Sequence, residues 1–132
     1  MADWLPAIAT MAVIFWLSSQ SYLPSPPERG LDFGLKKLAH AIAYAALALF
    51  YLRGVRKFPR AHLLAFLLAL TFAMTDELHQ STVPRREPTI RDVAIDATGA
   101  AIALLWARRT LEGASGRARR WVEWVMGTGG RT

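Results

Sequence analysis

An all-α bundle of four transmembrane helices, followed by a short helix at the membrane interface, is the architecture expected of this sequence, on three grounds. The chain has 132 residues, 53% hydrophobic and 20% charged, and its charges gather in short stretches between long apolar runs. Residues 41–52 and 61–75 are apolar nearly all round, with His62 at one end. Helices of a soluble bundle would show one apolar stripe and one polar face, and a chain this small cannot bury four helices completely. Finally, two polar clusters, residues 76–80 and residues 85–96, sit at the ends of apolar runs, where charged groups are expensive unless they pair or function.

The elements follow in order. Residues 4–27 carry no charge, and their apolar part ends near Leu17. A bilayer core of roughly 30 Å needs about 20 helical residues, so this stretch reads as the first span, ending at residues 18–21. A cleaved signal peptide fits poorly, because Met1, Ala2 and Asp3 supply no basic region and no small-x-small site follows. Pro24, Pro26 and Pro27 then break the helix, and Gly30 and Gly34 keep the next segment irregular. The second apolar run covers residues 38–52, and the basic turn that follows holds Arg53, Arg56, Lys57 and Arg60. A third run covers residues 61–80, with Pro84 and Pro88 marking the loop after it. The fourth begins near Asp92 and ends at Trp106, before Arg108 and Arg109. Runs two to four reach spanning length only when their polar ends are included.

Two regions result: a four-helix transmembrane region over residues 1–107 and a basic amphipathic tail over residues 108–132. In that tail Arg117, Arg119 and Arg120 precede Trp121 and Trp124, a mixture suited to a helix in the headgroup layer. Residues 127–132 read as a solvated end. The chain has no cysteine, which excludes disulfides and thiolate metal sites.

A formal net charge of +6 can serve nucleic acid, anionic lipid or membrane orientation. Its distribution favours orientation, so no nucleic-acid partner is expected. Four basic residues lie between spans two and three and six follow span four, against six on the other side. Basic residues favour the cytoplasm, so both termini are expected inside, in a multi-pass protein of the bacterial cytoplasmic membrane. His62 then sits at the basic cytoplasmic turn as a solvated interfacial residue.

With that topology the unusual polar residues collect at the outer face. Asp76, His79 and Gln80 are three and four residues apart and share a helix face; Glu77, turned by about 100°, meets a different neighbour. Asp92 and Asp96 are four apart, and Gly99 continues their line and permits close helix approach. Lys37, His40 and Tyr44 form a third stripe.

These residues, in this order, resemble the VanZ-like family of bacterial membrane proteins. The pieces are Phe15-Trp16-Leu17-Ser18-Ser19, then Lys37-x-x-His40-x-x-x-Tyr44-x-x-Leu47, then Asp76-Glu77-x-x-Gln80, and last Arg86 with Asp92, Asp96 and Gly99. They cover about residues 13 to 105. Lys36 stands where an acidic residue often precedes the motif lysine, and Asp96 where asparagine is common. The resemblance implies four helices in the cell-envelope membrane and, for the founding member, an association with resistance to the glycopeptide antibiotic teicoplanin.

Two functional readings stand beside a structural one. In the first, Lys37 and Arg86, helped by Tyr44 and Gln80, bind the head group of an anionic lipid or a lipid-linked cell-wall precursor, Arg gripping a phosphate bidentately. In the second, the protein is a hydrolase or transferase acting on a phospholipid or a polyprenyl-phosphate-linked substrate. Glu77, Asp76 or His40 then supplies general acid–base catalysis. In both, Asp92, Asp96 and His79 orient the rest. Ser18 and Ser19 have no base adjacent in sequence, so no nucleophile stands out. The structural reading has Arg86 and Arg91 neutralising Asp76, Glu77 and Asp92 to lock the helices. A hard or borderline cation on His40, Asp76, Glu77, His79, Asp92 and Asp96 stays open as a variant; the cofactor and the oligomeric state stay open too.

Overall fold

Long stretches rich in alanine and leucine, interrupted by proline, glycine and basic residues, fold as helices. A computed structural model describes residues 2–20, 29–84, 89–113 and 116–128. Among these it holds five helices and no strand: α1 (Leu5–Ser18), α2 (Arg29–Val55), α3 (Ala61–Gln80), α4 (Ile90–Gly113) and α5 (Arg117–Val125).

The helix lengths correct the expected spans. α1 starts with Pro6 in its first turn and has 14 residues, about 21 Å of helix, short of the bilayer core. α2 begins at Arg29, so Gly30 and Gly34 lie inside a helix rather than in an irregular segment. An added side chain at Gly34 would meet open space, and one such glycine costs only about 1 kcal/mol, which 27 residues of helix absorb. α3 covers residues 61–80 as expected. α4 runs past Trp106 through Arg108 to Gly113, with Arg108 paired to Glu112 one turn on at 2.8 Å. Two helical stretches, Gly34–Val55 and Ala61–Gln80, are long and apolar enough to cross a membrane, and α1 is apolar but shorter.

The tail holds α5, entered through Gly116 (φ 104°). It ends in a Schellman motif: Gly127 (φ 66°) donates its N–H to Trp124 O at 2.9 Å, and Thr128 donates to Glu123 O at 2.8 Å.

α2 is the hub, touching all four other helices, and its contact with α4 is the broadest. α1, α3 and α4 each bury a line made mostly of small or polar residues. On α3 the line is Ala65, Ala69, Ala73, Asp76 and Gln80. On α4 it is Asp96, Ala100, Leu104, Ala107 and Thr110, and on α1 Ala7, Ile14 and Ser18. α2 supplies the bulk, with Tyr44, Leu47, Tyr51 and Leu52 buried. Large apolar side chains such as Ile8, Trp16, Ile42, Met74, Leu78 and Ile102 point outward.

One end of the bundle is basic and the other carries the polar cluster. At the basic end the Arg56 guanidinium grips both oxygens of Asp3 at 2.9 Å and also donates to Met126 O at 2.7 Å. The chain start, the end of α2 and the end of α5 are thereby fastened together. His62, expected to be solvated, is half-buried, and its Nε2 is enclosed with no hydrogen-bond partner among the described residues.

Two predictions follow from this packing. A methyl at Gly99 would lie 2.3 Å from the Ala41 carbonyl oxygen, so Gly99→Ala must push α2 from α4 at a cost of about 1–3 kcal/mol. Gly34→Ala, facing open space, is neutral or gains up to about 1 kcal/mol. Thermal unfolding of both variants in detergent checks the contrast. The second concerns acid. The Arg56 hydrogen bonds hold the Asp3 carboxyl below its ordinary range. Its contribution to stability is therefore full above about pH 4 and is lost as pH falls through the lowered native value. Unfolding of Asp3→Asn across the acid range should lack that part of the decline.

Candidate functional site

The polar end is assembled from four helices. α3 carries Asp76 and Gln80 on its buried alanine line, so both arrive inside the bundle beside the last residue of α1. Ser18 Oγ donates to Asp76 Oδ2 at 2.8 Å, and Gln80 Nε2 donates to the same oxygen at 3.0 Å and to Ser18 Oγ at 3.2 Å. Asp76 is 1% exposed. Its other oxygen, Oδ1, is buried with no hydrogen-bond partner among the described residues.

His79 also faces α1. Its Nε2 lies 2.9 Å from Ser19 Oγ, and its ring stacks on Phe15 with centroids 4.1 Å apart. Ser19 donates its own proton to Phe15 O at 2.7 Å. With that proton committed, the His79 nitrogen serves as donor and the serine is held as a helix-end group.

α2 and α4 supply the other side. Lys37 pairs with Asp92. One turn further in, His40 Nδ1 and Asp96 Oδ2 are 3.6 Å apart. Tyr44 follows, fully buried, its ring 6.4 Å from His40 and 6.1 Å from Phe72 of α3. The Tyr44 hydroxyl is the second buried polar atom here with no partner among the described residues. Asp76 and Asp96 both lie within electrostatic reach of Tyr44 and of His40.

Glu77 points elsewhere and accepts the Thr89 backbone N–H at 2.6 Å. It thus ties the end of α3 to the residue before α4, satisfying a group near a helix start that has no partner within the helix.

Of the residues singled out by sequence, Lys37, His40, Tyr44, Asp76, Glu77, Asp92 and Asp96 share one electrostatic neighbourhood. Gln80 joins it through Asp76, and His79 lies on its α1 side. Arg86 lies outside the described residues. Among the described residues no three His, Asp or Glu side chains gather as a metal-ion cage. The roles of Ser18 and Ser19 as partners of Asp76 and His79 were not derivable from spacing, since 58 and 60 residues separate them. Their only signal was the Ser-Ser pair closing the first apolar run.

The Ser18–Asp76 bond is testable by itself. Ser18→Ala should destabilise the solubilised protein by about 1–3 kcal/mol, since a buried carboxylate loses a donor. In an Asp76→Leu background the same change should cost less, with a coupling of at least about 0.5 kcal/mol. Strictly additive effects in that unfolding cycle would mean the bond contributes nothing.

No curated protein and no solved structure matches the chain. The family described as VanZ/LLP1 matches over residues 4–111, a stretch reaching from the start of α1 into the last turn of α4. Every residue of the polar site lies within it. The chain belongs to the VanZ/LLP1 family.

Proposed function

We propose that the protein crosses the bacterial cytoplasmic membrane four times with both termini inside, and that its polar end opens outward to bind the head group of an anionic lipid or a lipid-linked cell-wall precursor. The observation that carries this reading is the pair of orphaned buried atoms, Tyr44 Oη and Asp76 Oδ1. Native proteins rarely leave buried polar atoms unpaired. Ligand hydroxyls can satisfy both atoms, donating to the carboxylate and accepting from the tyrosine. Lys37 stands at the outer edge of the same cluster. Its ammonium has three donors, so it can keep Asp92 and still take a phosphate. Arg86 is the second cation in this reading, and Gln80 keeps Asp76 oriented.

The membrane part is supported by the many large apolar side chains on the outside of the bundle and by the alanine lines of α3 and α4 inside it. Small residues along helix seams are what bilayer packing favours. α1 would cross with local thinning of the bilayer, and α4 keeps Asp92 and Asp96 turned toward α2 rather than lipid. The basic turn, the end of α4 and α5 would then face the cytoplasm. Any link to glycopeptide (teicoplanin) resistance would run through sequestering such a head group and changing drug access.

The His40–Asp96 pair favours a second reading, in which the bound lipid is turned over by acid–base catalysis with Asp76 or Glu77 assisting.

Native mass spectrometry of the gently solubilised wild type, beside Lys37→Ala and Arg86→Ala, tests both readings. The expected result is that the wild type holds one more lipid per chain than the folded variants, the occupancy of that additional adduct falling about tenfold or more in them. Equal retention by all three proteins would sink the head-group reading. Under the second reading, His40→Ala accumulates an adduct that the wild type converts.

A further inference from the structure

The lipid-facing side of the α2–α4 seam carries a shallow groove separate from the polar cluster. Ala41 on α2 and Ala94, Ile95, Thr98 and Ile102 on α4 line it, with Arg91 at one end. The groove exists because this seam is built from small residues. Gly99 lies directly on the Ala41 carbonyl, so no side chain fills the floor, while Ile95 and Ile102 raise the wall.

The lining is chemically consistent. Thr98 turns its hydroxyl inward to Ala94 O at 2.7 Å, which leaves its methyl for the groove. The one charged lining residue, Arg91, is exposed and forms no ion pair or side-chain hydrogen bond among the described residues. Residues 91, 94, 95, 98 and 102 fall on one face of α4, and the distance from 91 to 102 is about 16 Å of helix. An apolar channel ending in an unpaired guanidinium matches an amphiphile with a hydrocarbon chain and a phosphate.

We propose that this groove seats one hydrocarbon chain of a phosphate-bearing membrane lipid, with the phosphate on Arg91. This rests on the membrane reading given above and adds a second, chain-dependent site to it. Arg91 and Ile95 each adjoin a residue of the polar cluster, Asp92 and Asp96. A lipid in the groove therefore presents its head group beside the mouth of that cluster, and the groove serves as a loading position.

The test uses the full chain carrying Lys37→Ala and Arg86→Ala, so that the head-group cluster is disabled and retained lipid reports the groove. Native mass spectrometry is run with added dioleoyl phosphatidylglycerol, with phosphate-free dioleoylglycerol and with water-soluble glycerol phosphate. One phosphatidylglycerol should be retained, dioleoylglycerol about tenfold less, and glycerol phosphate not at all. Adding Arg91→Ala, or Ala94→Phe to fill the groove, should each lower phosphatidylglycerol retention about tenfold; both positions are exposed, so the fold tolerates them. No retained lipid in this background, or retention unchanged by either substitution, overturns the groove. Retention of glycerol phosphate equal to that of the lipid also overturns it, since the chain would then contribute nothing. The head-group reading fails separately, if the wild type and the Lys37→Ala/Arg86→Ala protein hold the same lipid count.

Discussion

A carboxylate inside a helix bundle constrains everything around it, and in this molecule that carboxylate is Asp76. An isolated buried charge costs several kcal/mol, so donors must be brought to it. Gln80 comes from the next turn of the same helix, but Ser18 must come from α1. That bond sets the height of α1 against α3, because the last residue of α1 has to lie level with the last turn of α3. The opposite end of α1 is fixed independently, by Asp3 in the fork of Arg56. A helix of 14 residues held at both ends has no freedom to slide, which explains how so short an element keeps its register in the bundle.

The rest of the interior is what such a register requires. Alanines on α3 and α4 let the helices approach, and Gly99 lets α4 touch the backbone of α2. Because α3 and α4 pack through these small residues, many of their large side chains, such as Leu63, Met74, Leu78 and Ile102, point outward. Water would penalise such a surface, whereas hydrocarbon is indifferent to it. Packing in lipid relies on close contact and on interhelical polar bonds, and both are concentrated along the same lines of residues. The alanine line of α3 becomes Asp76 and Gln80 without changing face, so one stripe supplies close packing for most of its length and polar bonding at its end.

Much of this was legible in the sequence. The all-round apolarity of residues 61–75 and the polar cap at 76–80 give α3 to the residue. The spacing of Asp76, His79 and Gln80 gives a shared face, and the offset of Glu77 gives it a different neighbour, Thr89. What spacing could not give was any contact between distant segments: Ser18 with Asp76, Ser19 with His79, Arg56 with Asp3 and Met126. Periodicity reports which way a residue points on its own helix and nothing about what stands opposite. Glycine misled at residues 30 and 34, where its helix penalty is small beside the length of α2. Charge misled at Arg108 and Arg109, which suit a helix as well as its end and are supported by Glu112 one turn on. His62 was read by its charged neighbours in sequence, while its ring nitrogen is buried by neighbours in space.

Under the proposed function, binding at the polar end and stability are not separate properties of this fold. Lys37 holds Asp92 and so holds α2 to α4; Glu77 holds Thr89 and so holds α3 to α4. In the proposed binding, a phosphate on Lys37 would share the ammonium with Asp92 and so act on the contact between α2 and α4. Tyr44 Oη and Asp76 Oδ1 are different. Neither atom makes a hydrogen bond among the described residues, so neither has a helix contact there to give up to a ligand. Groups that cost the fold an unmet hydrogen bond and return nothing to it are where recognition is most economically kept. In the proposed function Lys37 would draw the anionic head group in, and the two silent oxygens are the atoms with most to gain from its arrival.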